Sequence, residues 1–281
     1  MARTETYPVL TQELHYRAAV EVARRLCEGE SEREALLTEA ARLTEATTAD
    51  GRRRAAAAVM TRLGLGRRRR VSAAGLHRLL TALPERTGRR VWTYVVAQAE
   101  PMLAAVAREA LYPYFVQNRT PKGFTAEEFS AINANGLFEV AGAMTHGAVA
   151  AYAERAWGIA EPGPTGRALR ILRKGGILAA AWLSRRRARC LGFFPVGGVP
   201  DVACLAYALH SLREHGDRVR LDRIRAGLFV HLFLLRPIAV DYLLERAQGL
   251  GLIGRPRRGV AALAFGALDE VVDIVRADAE R

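Results

Sequence analysis

Apolar positions recur every three to four residues along most of the chain, a spacing that predicts a mainly helical protein. Leu10, Leu14, Ala18, Val22 and Leu26 outline a first helix that closes at Gly29. Ser31 is placed to cap a second, built on Leu36, Leu37, Ala40 and Leu43. A third follows Asp50, with Val59, Met60 and Leu63 apolar, and stops in the Gly-Leu-Gly of residues 64–66. Ser72 opens a fourth on Leu76, Leu79, Leu80 and Leu83. Pro84 and Gly88 mark a break, after which Trp92, Val95 and Val96 start a longer helix. Pro101 begins a new segment or kink within it, and Tyr112-Pro113-Tyr114 ends it.

The next helix carries a complete start signal. Thr125 reads as its N-cap, Glu128 completes a capping box, and Phe124 against Phe129 makes a hydrophobic staple. Asn135-Gly136 is its stop, and a further helix is expected over 138–157. Glu161-Pro162-Gly163-Pro164 is the clearest boundary in the chain.

Beyond it the period changes. Thr165 is expected to cap a short helix ending at Gly175-Gly176. Residues 177–183 and 190–196 read as two strands joined across Ser184, Arg185, Arg186 and Arg187. Helix, glycine stop and basic-tipped hairpin is the order of a winged helix-turn-helix. Arg167, Arg170, Arg173 and Lys174 fall on one side of that helix, with Ala168, Leu169 and Leu172 on the other. A second echo follows: a helix over 238–248, glycine stops at Gly249 and Gly251, then strand, basic loop and strand over 252–265. Its helix carries Asp241 and Glu245, so protein contact or a structural role is expected of it. The organisation read from these patterns is a helical bundle over 1–160, a winged-helix-like segment over 161–198 and a C-terminal helical module over 199–281.

Charge adds a function class. The 281 residues carry 42 basic and 29 acidic groups, net +13, and all but Lys122 and Lys174 of the basic residues are arginine. The excess is concentrated: residues 51–100 are net +10 and residues 161–200 net +7, whereas residues 1–50 are net −4. Arginine's planar fork of donors suits phosphate, so two such blocks point to a nucleic-acid partner. Arg67, Arg68, Arg69 and Arg70 form a second candidate contact, on the connection between the third and fourth helices.

Other classes are set aside. Half of the residues are hydrophobic, too many for a disordered chain. Cys27, Cys190 and Cys204 have neither disulfide-framework nor metal-ligand spacing, and fit free thiols in a reducing cytoplasm. MARTETYPVL has no apolar core of a secretory signal. The most apolar run, 226–235, is half the length of a membrane span and reads as a buried core helix. There is no P-loop and no GxSxG, and the six histidines never fall at i, i+4. No enzyme activity, metal or cofactor is expected.

The order HYRAAVEVARRL, RRRAAAAVMTRLGLG, AAGLHRLLTALPERTGRRVWTYVVAQAEPMLAAVAREAL and TGRALRILRKGGIL resembles the BrxA-type accessory proteins of BREX anti-phage systems. The resemblance covers roughly residues 10–183, rests on order and spacing, and leaves 200–281 longer than the family core. It implies a NusB-like helical fold, DNA binding centred on 165–196, and protein partners from the same defence complex. Double-stranded DNA is therefore the expected ligand, gripped by arginines 67–70, 167, 170, 173 and 185–187 with Lys174. An RNA-binding antiterminator is the runner-up. It is disfavoured because RNA readers stack exposed aromatics, whereas Trp92, Phe129 and Phe233 occupy apolar faces. A basic scaffold for an acidic protein is the third reading.

Overall fold

The computed structural model describes residues 14–65, 73–133, 142–185, 188–196, 200–214 and 217–280. They are mainly helical, with short antiparallel strands in two small sheets. The chain divides into two compact units, neither continuous in sequence. One contains residues 97–198 and 230–236; the other contains 13–96, 199–229 and 237–281. One cut between the units falls after residue 198.

In the unit containing 13–96, α1 (Tyr16–Cys27) packs on α2 (Arg33–Leu43) and α4 (Ala73–Ala82), and α2 packs on α3 (Ala49–Met60). Leu14 precedes the first helix instead of belonging to it. Its carbonyl accepts the buried Trp92 Nε1–H at 2.6 Å, and His15 turns left-handed at φ 46. A buried indole N–H needs an acceptor, and this bond ties the helix start to α5 (Glu85–Ala99). One expected cap shifts, and the third helix starts at Ala49 instead of after Asp50. Glu32 instead of Ser31 precedes α2, and Thr48 caps α3 by accepting from Gly51 N at 3.1 Å. Gly88 breaks nothing: it lies inside α5, where a Cβ would collide with Tyr16 Oη. Glycine there is a close-approach residue.

In the unit containing 97–198, Pro101 does start a segment, α6 (Pro101–Ala105), with Glu100 as its N-cap. A π-helical turn over Val106–Leu111 leads into α7 (Tyr112–Val116), so the helix runs past Tyr114. Pro113 follows closely on that π-helical turn, in backbone that is helical on both sides of it.

The rest of that unit has winged-helix topology. Its elements run α8 (Ala126–Ile132), β1 (Met144–Thr145), α9 (His146–Trp157), α10 (Pro162–Lys174), β2 (Leu178–Arg185) and β3 (Ala188–Pro195). The three strands are antiparallel in the order β1-β3-β2. The C-terminal residues of the other unit repeat the plan. They run α11 (Val202–Ser211), β4 (Arg218–Arg220), α12 (Leu221–Arg225), α14 (Pro237–Gly249) and β5 (Val260–Ala262), with β4 paired to β5 and Ile253 bridged to Leu263. α15 (Val272–Ala279) packs on α11 and α4. Between α12 and α14 the apolar run at 226–235 is buried at Phe229, Val230, Leu232, Phe233 and Leu235. It is no single core helix, however: α13 (Leu228–Leu232) ends at once and Leu234 turns left-handed at φ 52.

Candidate nucleic-acid interface

A polar hub sets the frame of the first winged module. Thr125 Oγ1 accepts from Glu128 N at 3.1 Å and Glu128 Oε2 accepts from Thr125 N at 3.0 Å, completing the capping box. The Phe124 and Phe129 rings stand 5.7 Å apart, the staple that goes with it. The N–H of Thr125 and the Arg155 guanidinium hold the Glu128 carboxyl below its ordinary range. At the other end of α8 the buried Asn133 uses both ends of its amide. Its Oδ1 accepts from Thr145 N at 2.8 Å and Thr145 Oγ1 at 2.9 Å, and its Nδ2 donates to Ala143 O at 3.0 Å. Thr145 Oγ1 in turn accepts from Ala148 N at 3.2 Å and caps α9. The expected helix over 138–157 is therefore shorter, because Met144 and Thr145 pair with Phe193 and Gly192 as a strand. The Asn135-Gly136 stop lies outside the described residues.

α10 begins four residues before the sequence reading has it. Glu161 is its N-cap and Pro162 its first residue, since proline's fixed φ and absent N–H suit a helix's first turn. Thr165 is inside the helix, buried, and its hydroxyl donates to Pro162 O at 2.9 Å. His146 Nε2 lies 3.0 Å from the same carbonyl, and a Cβ on Gly166 would come within 3.1 Å of that nitrogen. The first turn of α10 is thus fastened to α9. Ala168, Leu169, Ile171 and Leu172 are buried. Arg170 and Arg173 are exposed on the opposite side, with Arg167 and Lys174 half-buried beside them. Among the described residues neither Arg167 nor Arg173 enters an ion pair, and Arg167 Nε is buried without an acceptor. The helix stops as expected: Gly176 is left-handed at φ 69, and Ile177 N donates back to Leu172 O at 2.9 Å.

The hairpin is longer than the sequence pattern implies. Pairing continues from Leu178↔Pro195 to Arg185↔Ala188, so Ser184 and Arg185 belong to the strand. Gly192 lies where a Cβ would overlap Leu183 Cδ1 and stand 3.0 Å from Ala143 Cβ, which lets β1 close on the hairpin. Leu178, Ala180, Trp182 and Ser184 share one face with Arg189, Leu191 and Phe193. That face is buried at Leu178 and Phe193 but outruns the core further along, where Trp182 is 66% exposed. The Arg189 guanidinium lies 5.8 Å from the centre of its ring.

Of the residues the sequence singles out, α10 brings together Arg167, Arg170, Arg173 and Lys174. Arg67, Arg68, Arg69, Arg70, Arg186 and Arg187 lie outside the described residues, as does the side chain of Arg185. Sequence reasoning missed Trp182 and Arg189. Their alternation with Ala180 and Leu191 is the signal, obscured by seven consecutive apolar residues before Ser184.

The second module differs in its surface. The exposed side of α14 carries Ile238, Asp241, Tyr242 and Glu245, with Asp241 held by Arg225 at 2.8 Å. Its hairpin carries Arg255, Arg257 and Arg258, all exposed and none in an ion pair among the described residues. Among the described residues no group of three or more His, Cys, Asp or Glu side chains is placed to hold a metal ion. No single described helix is long and apolar enough to cross a membrane. No known protein family, curated protein or solved structure matches this chain.

Proposed function

We propose that this chain binds double-stranded DNA without chemistry of its own, as an accessory protein of a BREX-like anti-phage complex in the cytoplasm. One observation carries the DNA reading. The third helix of a winged module, the element such folds lay in a major groove, presents Arg170 and Arg173 to solvent with Arg167 and Lys174 at their flanks. No acidic residue follows Glu161 on that helix. Gly163, exposed at the near end of this face, keeps it low there, which suits close approach to a backbone. Arginine contacts to phosphate give affinity and position while specifying little sequence. The defence-complex role rests on the resemblance in helix order.

Trp182 supports a second reading. An exposed indole beside an arginine is what stacking on an unpaired base requires, so RNA or single-stranded DNA is the alternative ligand. A gel-shift comparison of duplex DNA, single-stranded DNA and an RNA hairpin, each titrated with salt, separates the two. Tightest binding to duplex supports the first reading, and tightest binding to either unpaired ligand overturns it.

A further inference from the structure

We infer that the hairpin of the second winged module, and not the helix before it, is a separate phosphate-contact site for duplex DNA. The inference does not rest on α10, which belongs to the other compact unit. The helix-led mode does not suit this module: the exposed side of α14 carries Glu245 and an Asp241 already paired with Arg225, and the arginine of that helix, Arg246, is bonded to Asp278. The hairpin is the opposite. Arg255, Arg257 and Arg258 are exposed within four residues of one another and engage no described acid. Asp222 follows Leu221, which the backbone bonds to the tip, but it is already held by Arg220 at 2.5 Å.

The tip is built to hold this display. Arg257 and Val260 exchange both backbone hydrogen bonds, at 2.9 and 3.0 Å, around a two-residue turn. Arg258 and Gly259 both have positive φ, 50 and 76, the conformation of a type I′ turn. Leu221 N donates to Gly259 O at 2.9 Å and fastens the turn to the sheet. Between the Ile253↔Leu263 and Arg257↔Val260 bridges one arm has an extra residue, a bulge in which Pro256 lacks no ladder bond. Left-handed backbone disfavours arginine, and Asn-Gly is the preferred dipeptide of such turns. An arginine held there against its local preference, beside two more without counter-charges, marks the tip as a place where positive charge is used.

The test uses the full chain, a duplex of arbitrary sequence and the triple variant Arg255→Gln, Arg257→Gln and Arg258→Asn, which gives the turn its preferred dipeptide and should melt no lower than wild type. Each lost phosphate contact lowers the slope of log affinity against log salt by about 0.9, so the triple variant should lose up to about 2.7. Between about 50 and about 200 mM salt, wild type then loses about 40-fold more affinity than the variant. The same decrement should appear when Arg170 and Arg173 are already glutamine, so failure of the α10 reading leaves this one testable. An unchanged slope in a variant that melts normally overturns the inference, as does a wild-type chain that binds no duplex at low salt.

Discussion

Arg189 lies 5.8 Å from the centre of the Trp182 ring, across the two strands of the first wing, and the indole beneath it is 66% exposed. The other two tryptophans are buried with their N–H groups bonded, Trp92 to Leu14 O and Trp157 to a Glu109 carboxylate oxygen. Trp182 is thus the one whose emission a ligand can reach. Duplex DNA should quench the red edge of the protein's fluorescence, and Trp182→Phe should abolish that quenching without changing the melting temperature. Quenching that survives in the variant would place the ligand elsewhere.

Gly192 should be intolerant of any side chain. An added methyl would overlap Leu183 Cδ1 and stand 3.0 Å from Ala143 Cβ, in a sheet pinned on both sides. Overpacking of this kind costs about 1–3 kcal/mol, and urea unfolding of Gly192→Ala should register it as a lowered midpoint. A midpoint equal to wild type would mean that β1 does not close on the hairpin as described.

Stability should fall below neutral pH. His77, buried with Nε2 2.7 Å from Leu63 O, and His210, stacked 6.3 Å from the Phe265 ring, both have pKa values lowered below 6.5, chiefly by desolvation. The unfolded chain therefore takes up protons first, so the contribution of these residues is full above about 6.5 and is lost as pH falls towards their folded values. Melting temperature should drop between about pH 7.5 and about pH 5.5, and the His77→Gln and His210→Gln variants should flatten the curve. A flat wild-type curve contradicts the burial of the two rings.

Local signals in the sequence were legible and long-range ones were not. The Thr125 capping box, the Gly176 stop and the second hairpin's strands all follow from residues within a few positions of one another. The third strand of each module is different. Met144–Thr145 is two residues long and meets Phe193 and Gly192, and Arg218–Arg220 meets residues 260–262; no period reveals pairings of that kind. Pro162 misled because a proline-glycine cluster reads as a boundary, whereas its first proline is also a good first residue for a helix. Gly88 misled because its reason, Tyr16 Oη, lies on another helix. The α10 face was read correctly because helical spacing alone separates Arg170 and Arg173 from Leu169 and Leu172.

The salt dependence of duplex binding, compared between wild type and the double variant Arg170→Gln, Arg173→Gln, decides whether the exposed arginines of α10 contact duplex phosphates. Two lost contacts should reduce the slope of log affinity against log salt by about 1.8, with an unchanged melting temperature because both side chains are exposed. A slope identical to wild type would remove α10 from the interface and contradict the account.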